Sequence, residues 1–304
     1  MSAAHPLRVG VLSESFLYEW QVRALERLRD QTGTELSLVV RNADSDAEAE
    51  SWNSKDRITL ADVREFVDTF RLERAWTFVL AERALGRVLG DEQPLWHRRS
   101  VENVDAVADA DHLACEPLTD DGWNELPDDA VDTIADRCDV VVRFGFGLVR
   151  GDVLTAPEYG VVSFHPADIR EYRGMGPPAI FHDGRSRAGT TLQRLDESID
   201  GGEIVAYDEV SLEGCYTLWD VFDRLATLQV RLLSEGVANL RDPSFEPESV
   251  PDDRLGEFYY RSQRRTVPFA ARVLAKNVAG RVRRRLENRE PLEEGVQRGE
   301  RTES

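Results

Sequence analysis

The chain has 304 residues, with 57 acidic and 38 basic side chains and a formal charge of −19. At 41% hydrophobic it can bury a substantial core, in one large domain or two small ones. The net charge argues against a general nucleic-acid or membrane-surface binder. No run of about 18 apolar residues marks a membrane span, and the short apolar stretch near the N-terminus reads as a first strand, not a signal peptide; a cytoplasmic location is the expectation. Lysine occurs only at Lys55 and Lys276, and an acidic surface nearly free of lysine reads as adaptation to high salt, where screening relieves self-repulsion.

Residues 7–12 (LRVGVL) predict a buried strand, 18–30 a helix stopped by Gly33, and 35–40 (ELSLVV) a second strand. This order marks the start of a parallel α/β unit. No GxGxxG follows the first strand, so a dinucleotide fingerprint is missing. Residues 42–56 read as a polar loop. A long helical pattern over 61–90 places Phe66, Phe70, Trp76, Phe78, Leu80 and Leu85 in a stripe expected to be core. A short strand is expected near 112–115, a helix over PDDAVDTIADR and a buried strand at 139–144.

Cys115, Cys138 and Cys215 form no CxxC and predict three small buried residues, with no disulfide framework. The five histidines form no HxxxH pair, so no metal site is expected. Nine basic residues and no acidic one lie between Phe258 and Leu286. With Phe269, Val273, Leu274 and Val278 as its apolar stripe, this segment predicts a helix packed on an acidic body, its own or a partner's. An anionic ligand, RNA or a membrane is the alternative contact. Residues 288–304 predict disorder.

From 139 to 240 the signals are densest. The strand YGVVSFH ends in Ser163 and His165, which share a face at spacing i, i+2. A Gly/Pro loop follows, then a strand pair at 189–195 and 203–210 joined through Asp200-Gly201-Gly202, and a strong amphipathic helix at 218–240. Ligands of open α/β sheets gather at strand carboxyl ends, so Ser163 and His165 are site candidates. A structural histidine and an ordinary Asp-Gly turn are the plain alternatives.

The run DVVVRFGFGLV, then Ser163-Phe164-His165-Pro166, Arg173-Gly174, Gly189-Thr190-Thr191 and Asp200-Gly201-Gly202, resembles the formyltransferases that use 10-formyltetrahydrofolate. That family includes methionyl-tRNA, glycinamide ribonucleotide and sugar-amine enzymes. The resemblance spans 138–240. It implies a Rossmann-like α/β fold, mostly parallel sheet flanked by helices, with the basic helix added at the C-terminus. It divides the chain into a domain at 1–243, a linker at 244–257, a basic helical tail at 258–287 and a disordered end.

The resemblance further implies catalysis by His165 and Asp200, with Ser163 in place of the family's Asn. A Ser hydroxyl has one hydrogen to donate to a developing oxyanion where an Asn amide has two. Folate is implied along Arg143, Phe144, Gly145 and Leu148 and the loop from Leu195 and Asp196 to Asp200. Arg170 and Tyr172 would face the acceptor, while Arg173 and Gly174 would shape the loop. The implied reaction is formyl transfer from 10-formyltetrahydrofolate to a small primary amine, first an amino sugar nucleotide. A ligand-binding protein with impaired catalysis, a formyltetrahydrofolate hydrolase and a tRNA-directed enzyme are the alternatives. Homo-oligomerisation stays open.

Overall fold

An apolar run without alternation is stable as a strand only where both faces of its sheet are covered. The runs RVGVLS, LSLVV, VVV and VVSF meet that condition. A computed structural model of the chain describes residues 6–43, 70–88 and 90–287. Its main sheet contains β1 (Arg8–Ser13), β2 (Glu35–Asn42), β3 (Asp111–Cys115), β4 (Val140–Arg143), β5 (Val161–His165), β6 (Arg187–Arg194) and β7 (Glu203–Ser211). Their spatial order is β7-β6-β5-β4-β1-β2-β3. The strands from β3 to β5 are parallel, and β6 and β7 form an antiparallel hairpin beside β5. The fold is therefore α/β with a mostly parallel sheet, as the sequence implies. The strand order reverses between β1 and β4, which opens a crevice beyond their carboxyl ends.

Helices α1 (Glu19–Thr32), α2 (Trp76–Val88), α3 (Asp128–Arg137), α4 (Pro177–Asp183), α5 (Leu218–Arg241) and α6 (Val267–Glu287) surround the sheet. Val22, Leu25 and Leu28 of α1 and Leu228, Leu232 and Val237 of α5 pack on Val11, Val142 and Val162 on one face. Ala130 and Ile134 of α3 cover Leu12, Val141 and Val161 on the other. Helix α5 starts at a capping box, in which Thr217 Oγ1 accepts from the Asp220 N–H at 3.3 Å and Asp220 Oδ2 accepts from the Thr217 N–H at 2.7 Å.

Helices α2 and α6 form a third packing unit. Trp76 and Val79 meet Phe269, Ala270 and Val273, with Leu218 and Trp219 at the start of α5 beneath them. The basic charges of the α6 region pair within the chain. Arg264 Nη2 lies 2.8 Å from Glu73 Oε1 and Arg281 Nε 2.5 Å from Glu82 Oε1. Arg281 also pairs with Asp91, and Arg284 with Asp220. Asn277, fully buried, accepts from the Leu218 N–H at 2.8 Å and donates to Glu82 Oε2 at 2.8 Å. It thereby satisfies one of the donors that a helix start leaves open.

Several expectations need correction. The stripe over 61–90 is split between two faces: Trp76 and Val79 are buried, whereas Phe70, Phe78 and Leu85 are 45%, 52% and 59% exposed. Positions 78 and 85 lie two helical turns apart, so they share the face that Trp76 does not occupy. Phe66, much of the 42–56 loop and residues 288–304 lie outside the described residues. In α6, Val278 is half exposed, because Asn277 takes the buried position about two turns after Phe269 and one turn after Val273. Cys115 and Cys138 are buried free thiols, but Cys215 is only half-buried. The stretch read as a linker is tied to the sheet: the Ile204 N–H donates to Glu248 O at 2.8 Å. A small sheet of Leu118–Asp120, Trp123–Glu125 and Leu148–Arg150 was not anticipated from sequence. Such three-residue strands carry no periodicity long enough to read.

Candidate active site

Strand alternation turns Val161, Ser163 and His165 to one face of β5, and Pro166 prevents the strand from continuing. His165 and Ser163 are 3% and 2% exposed. The His165 Nε2–H donates to the Tyr172 carbonyl at 2.9 Å. A carbonyl can only accept, so the proton is on Nε2 in this contact. Its Nδ1 lies 3.2 Å from Asp200 Oδ1.

Asp200 reaches this point from the β6–β7 connection. It holds a left-handed φ of +52°, a conformation that costs energy outside glycine and concentrates at functional sites. Gly202 lets the loop return, since a Cβ there would stand 2.2 Å from the Arg194 carbonyl. Arg173 fixes the loop from outside, donating from Nε to Asp200 O at 3.1 Å and from Nη2 to Ile199 O at 2.5 Å. Asp200 Oδ2 accepts from the Gly174 N–H at 2.8 Å. Burial pushes the Asp200 carboxyl up, but the hydrogen bonds from His165 and Gly174 and the charges of His165 and Arg173 outweigh it. The carboxyl is held below its ordinary range.

That shift has a signed consequence. A carboxyl depressed by folding contributes stability above its unfolded value of about 3.9, and loses it as pH falls through the lower folded value. Urea unfolding of wild type and of Asp200→Asn between pH 6 and pH 2 should show the acid-side loss flattened in the variant. Equal slopes would mean that Asp200 gains nothing on folding.

Ser163 is occupied by a neighbour that sequence reading treated only through its backbone. Residue 143 pairs with residue 163 across β4 and β5, and the Arg143 Nη2 donates to Ser163 Oγ at 2.9 Å. The serine hydroxyl in turn faces the Arg143 carbonyl at 3.3 Å. Arg143 Nη1 donates to the Gly147 carbonyl. Its Nε is buried and has no partner among the described residues. Burial lowers the pKa of this guanidinium, and the Asp200 charge opposes that. The signal was present in the sequence: Arg143 ends one apolar run and Ser163 interrupts the next, on strands that lie side by side.

The remaining candidates divide. Gly145 fits against the β1 turn, where a Cβ would meet Glu14 N at 2.5 Å. Phe144 packs edge-on to Trp20 at 5.5 Å. The Phe146 carbonyl already accepts from Asn124 Nδ2 at 2.6 Å, and the Phe146 N–H donates to Glu14 Oε1 at 2.9 Å. Leu148 is 36% exposed, and Leu195 packs on the inner core. Asp196 Oδ1 accepts from the Ser198 N–H at 2.8 Å within the loop. Arg170 and Tyr172 are turned from the His165 imidazole. Arg170 pairs with Asp168 at 2.8 Å and covers Tyr207, and the Tyr172 hydroxyl donates to Asp183 at 3.0 Å. Only the Tyr172 carbonyl touches His165.

Beside β4 and β5, on the α1 and α5 side, a cavity of about 180 Å³ is lined by Trp20, Trp96, Phe144, Phe164 and Phe222 and reaches Ser163 and Pro166. Among the described residues no cluster of His, Cys, Asp or Glu could hold a metal, and no helix is long and apolar enough to cross a membrane.

Residues 120–237 match the family model described as formyl transferase. This segment belongs to the formyl transferase family. The methionyl-tRNA formyltransferase of Bacillus thuringiensis (strain Al Hakam) is 32% identical over 111 residues, covering 36% of this chain and 35% of that protein. The chain thus spans about a third of the length of the curated formyltransferase relatives it matches. A sugar N-formyltransferase from Shewanella sp FDAARGOS_354 superposes with a TM-score of 0.53 at 13% identity, over 90% of this chain and 88% of that one. The N-formyltransferase from Helicobacter canadensis, solved in complex with folinic acid and dTDP-3-aminofucose, gives a TM-score of 0.50 at 9% identity, over 90% and 80% of the two chains. At those identities the two likenesses establish the formyl transferase fold over most of the chain, beyond the matched segment.

Proposed function

We propose that the protein is an N-formyltransferase that moves a formyl group from 10-formyltetrahydrofolate to a primary amine, with an amino sugar nucleotide or a similar small amine as acceptor. The observation that carries this reading is the 3.2 Å contact of His165 with Asp200 at the carboxyl edge of β5, in a segment of this family.

Formyl transfer joins the amine nitrogen to the formyl carbon, leaves charge on the formyl oxygen, then breaks the bond to the folate nitrogen, which takes a proton. Asp200 and His165 are the groups that hold and pass the amine proton, directly or through one water. Arg143 Nη2 and the Ser163 hydroxyl are the donors for the oxyanion, and a guanidinium supplies a charge-assisted bond that the lone hydroxyl does not. Arg143 thus takes over the task of the amide absent at position 163. Its unpartnered Nε fits a polar ligand group, and the exposed Leu148 and Asp196–Ser198 turn give the donor a surface to lie along.

A second reading, a binding protein without transfer, draws on the internal hydrogen bonds that already engage Phe146 and Gly147 and on Ser163 itself. Incubation with 10-formyltetrahydrofolate and candidate amines separates the two. Amine-dependent release of tetrahydrofolate is the expected result. Formate release without amine would instead make the protein a hydrolase, and undetectable folate binding would favour the second reading.

A further inference from the structure

Three consecutive residues carry the supports of the His165–Asp200 pair. The Tyr172 carbonyl accepts from the His165 Nε2–H, Arg173 holds the Asp200 and Ile199 carbonyls, and the Gly174 N–H donates to Asp200 Oδ2. They form a short strand, Tyr172–Gly174, outside the main sheet. Its one strand partner among the described residues is Glu257–Tyr259. The two run parallel, with Tyr172 opposite Glu257, Arg173 opposite Phe258 and Gly174 opposite Tyr259. Two three-residue strands are not stable on their own, so each depends on the side chains and loops that hold it to the other. The partner strand lies beyond residues 120–237, the segment that matches the family.

The approach of the two strands is close. The Met175 N–H donates to the Tyr259 carbonyl at 3.2 Å, and the Gly256 N–H to the Ile169 carbonyl at 2.9 Å. Two glycines make room for this. A Cβ at Gly174 would stand 2.3 Å from the Tyr259 carbonyl oxygen, and one at Gly256 would stand 2.3 Å from the Glu171 carbonyl carbon. Side chains of the partner strand then reach the supports themselves. The Arg173 guanidinium carbon lies 5.5 Å from the centre of the Phe258 ring. The Tyr259 ring lies 5.4 Å from that of Tyr172, and both hydroxyls donate to Asp183 Oδ2, at 3.4 and 3.0 Å. The imidazole side and the carboxylate side of the pair are thus both backed by the same C-terminal strand.

We propose that Phe258 and Tyr259 are positioning residues for formyl transfer, and that the strand Glu257–Tyr259 sets the placement of Tyr172–Gly174 and through it the contact of His165 with Asp200. The link to catalysis rests on the transfer reading above; the bracing of the pair does not. Each residue acts through another. Phe258 steadies Arg173, which fixes the Asp200 loop. Tyr259 steadies Tyr172, whose carbonyl orients the imidazole. A misplacement of about 1 Å at a reacting group costs about 10²-fold in rate, so a strand that touches neither reacting side chain carries a large effect.

Gly256→Ala in the full-length protein tests the strand without removing a side chain, since its methyl would meet the Glu171 backbone. It should lower kcat about 10- to 100-fold, while affinity for the folate donor stays at the wild-type level. Phe258→Leu keeps an apolar side chain but loses the ring face, and should lower kcat about fivefold, the scale of one cation–π contact; Phe258→Tyr should restore wild-type turnover. Amide hydrogen exchange gives a readout that needs no activity. The Gly174 N–H, bonded to Asp200 Oδ2, should exchange faster in Gly256→Ala and in Phe258→Leu than in wild type. Asn277→Leu is the control: it loosens α6 at Leu218 and Glu82 and should change neither kcat nor that exchange. Where Gly256→Ala fails to fold, Phe258→Leu carries the test. Wild-type kcat in either folded variant overturns the proposal, and so does an equal loss in Asn277→Leu. If the wild-type protein shows no amine-dependent turnover, the transfer reading fails by itself, and the Gly174 exchange still decides whether this strand braces the pair: faster exchange upholds the brace, and unchanged exchange overturns it.

Discussion

Asp200→Asn should lower kcat for formyl transfer by about 10²- to 10⁴-fold, the usual contribution of a positioned acid or base. The amide keeps the size of the carboxylate and leaves an oxygen for the Gly174 N–H, now 2.8 Å from Oδ2. Arg173 holds Ile199 and Asp200 through their carbonyls, which the substitution does not touch. The geometry therefore survives while the charge opposite His165 is lost. An amide set against His165 Nδ1 cannot accept the proton that the amine must shed. Retention of more than about a tenth of wild-type kcat, with unfolding midpoints matched, would remove Asp200 from the proton path. Folate affinity is the control: if it falls as far as kcat, the residue shapes the donor site and does not move protons.

Asn277→Leu should cost about 2–4 kcal/mol of stability, from two buried groups losing partners at about 1–3 kcal/mol each. The leucine fills similar space but leaves the Leu218 N–H without its acceptor and takes from Glu82 one of its donors. Glu82 keeps Arg281 Nε at 2.5 Å and Trp219 Nε1 at 3.3 Å, which sets the upper end of the range. A urea titration measures the change directly. A loss below about 0.5 kcal/mol, the level of an ordinary surface substitution, would show that α6 is not fastened through this residue.

The parallel strands and the α1 and α5 helices were legible because each is a long run with one dominant period and a clear stop, as at Gly33 and Pro166. The His165–Asp200 contact followed from a family pattern, since nothing local to either residue says that a loop 35 positions on returns to the strand. The guanidinium at Ser163 needed the register of β4 against β5, a property of pairing that no single strand displays. The α2–α6 unit was the hardest to foresee. Its apolar residues fit two helix faces equally well, and only the partner helix, joined by bonds such as Asn277 to Glu82 across 195 positions, decides which face is inside.

That pairing fixes an order of events during synthesis. The ribosome releases α2 early, yet the segment that clamps it leaves the exit tunnel only after the whole sheet has been made. Until then Trp76 and Val79 lack Phe269, Ala270 and Val273, and Glu82 lacks Asn277 and Arg281, while β4, β5 and the Asp200 loop already have their neighbours. A nascent chain stalled before Val267 would therefore present a finished β5 edge beside an α2 still without its clamp, so that the two sides of the fold mature at different times.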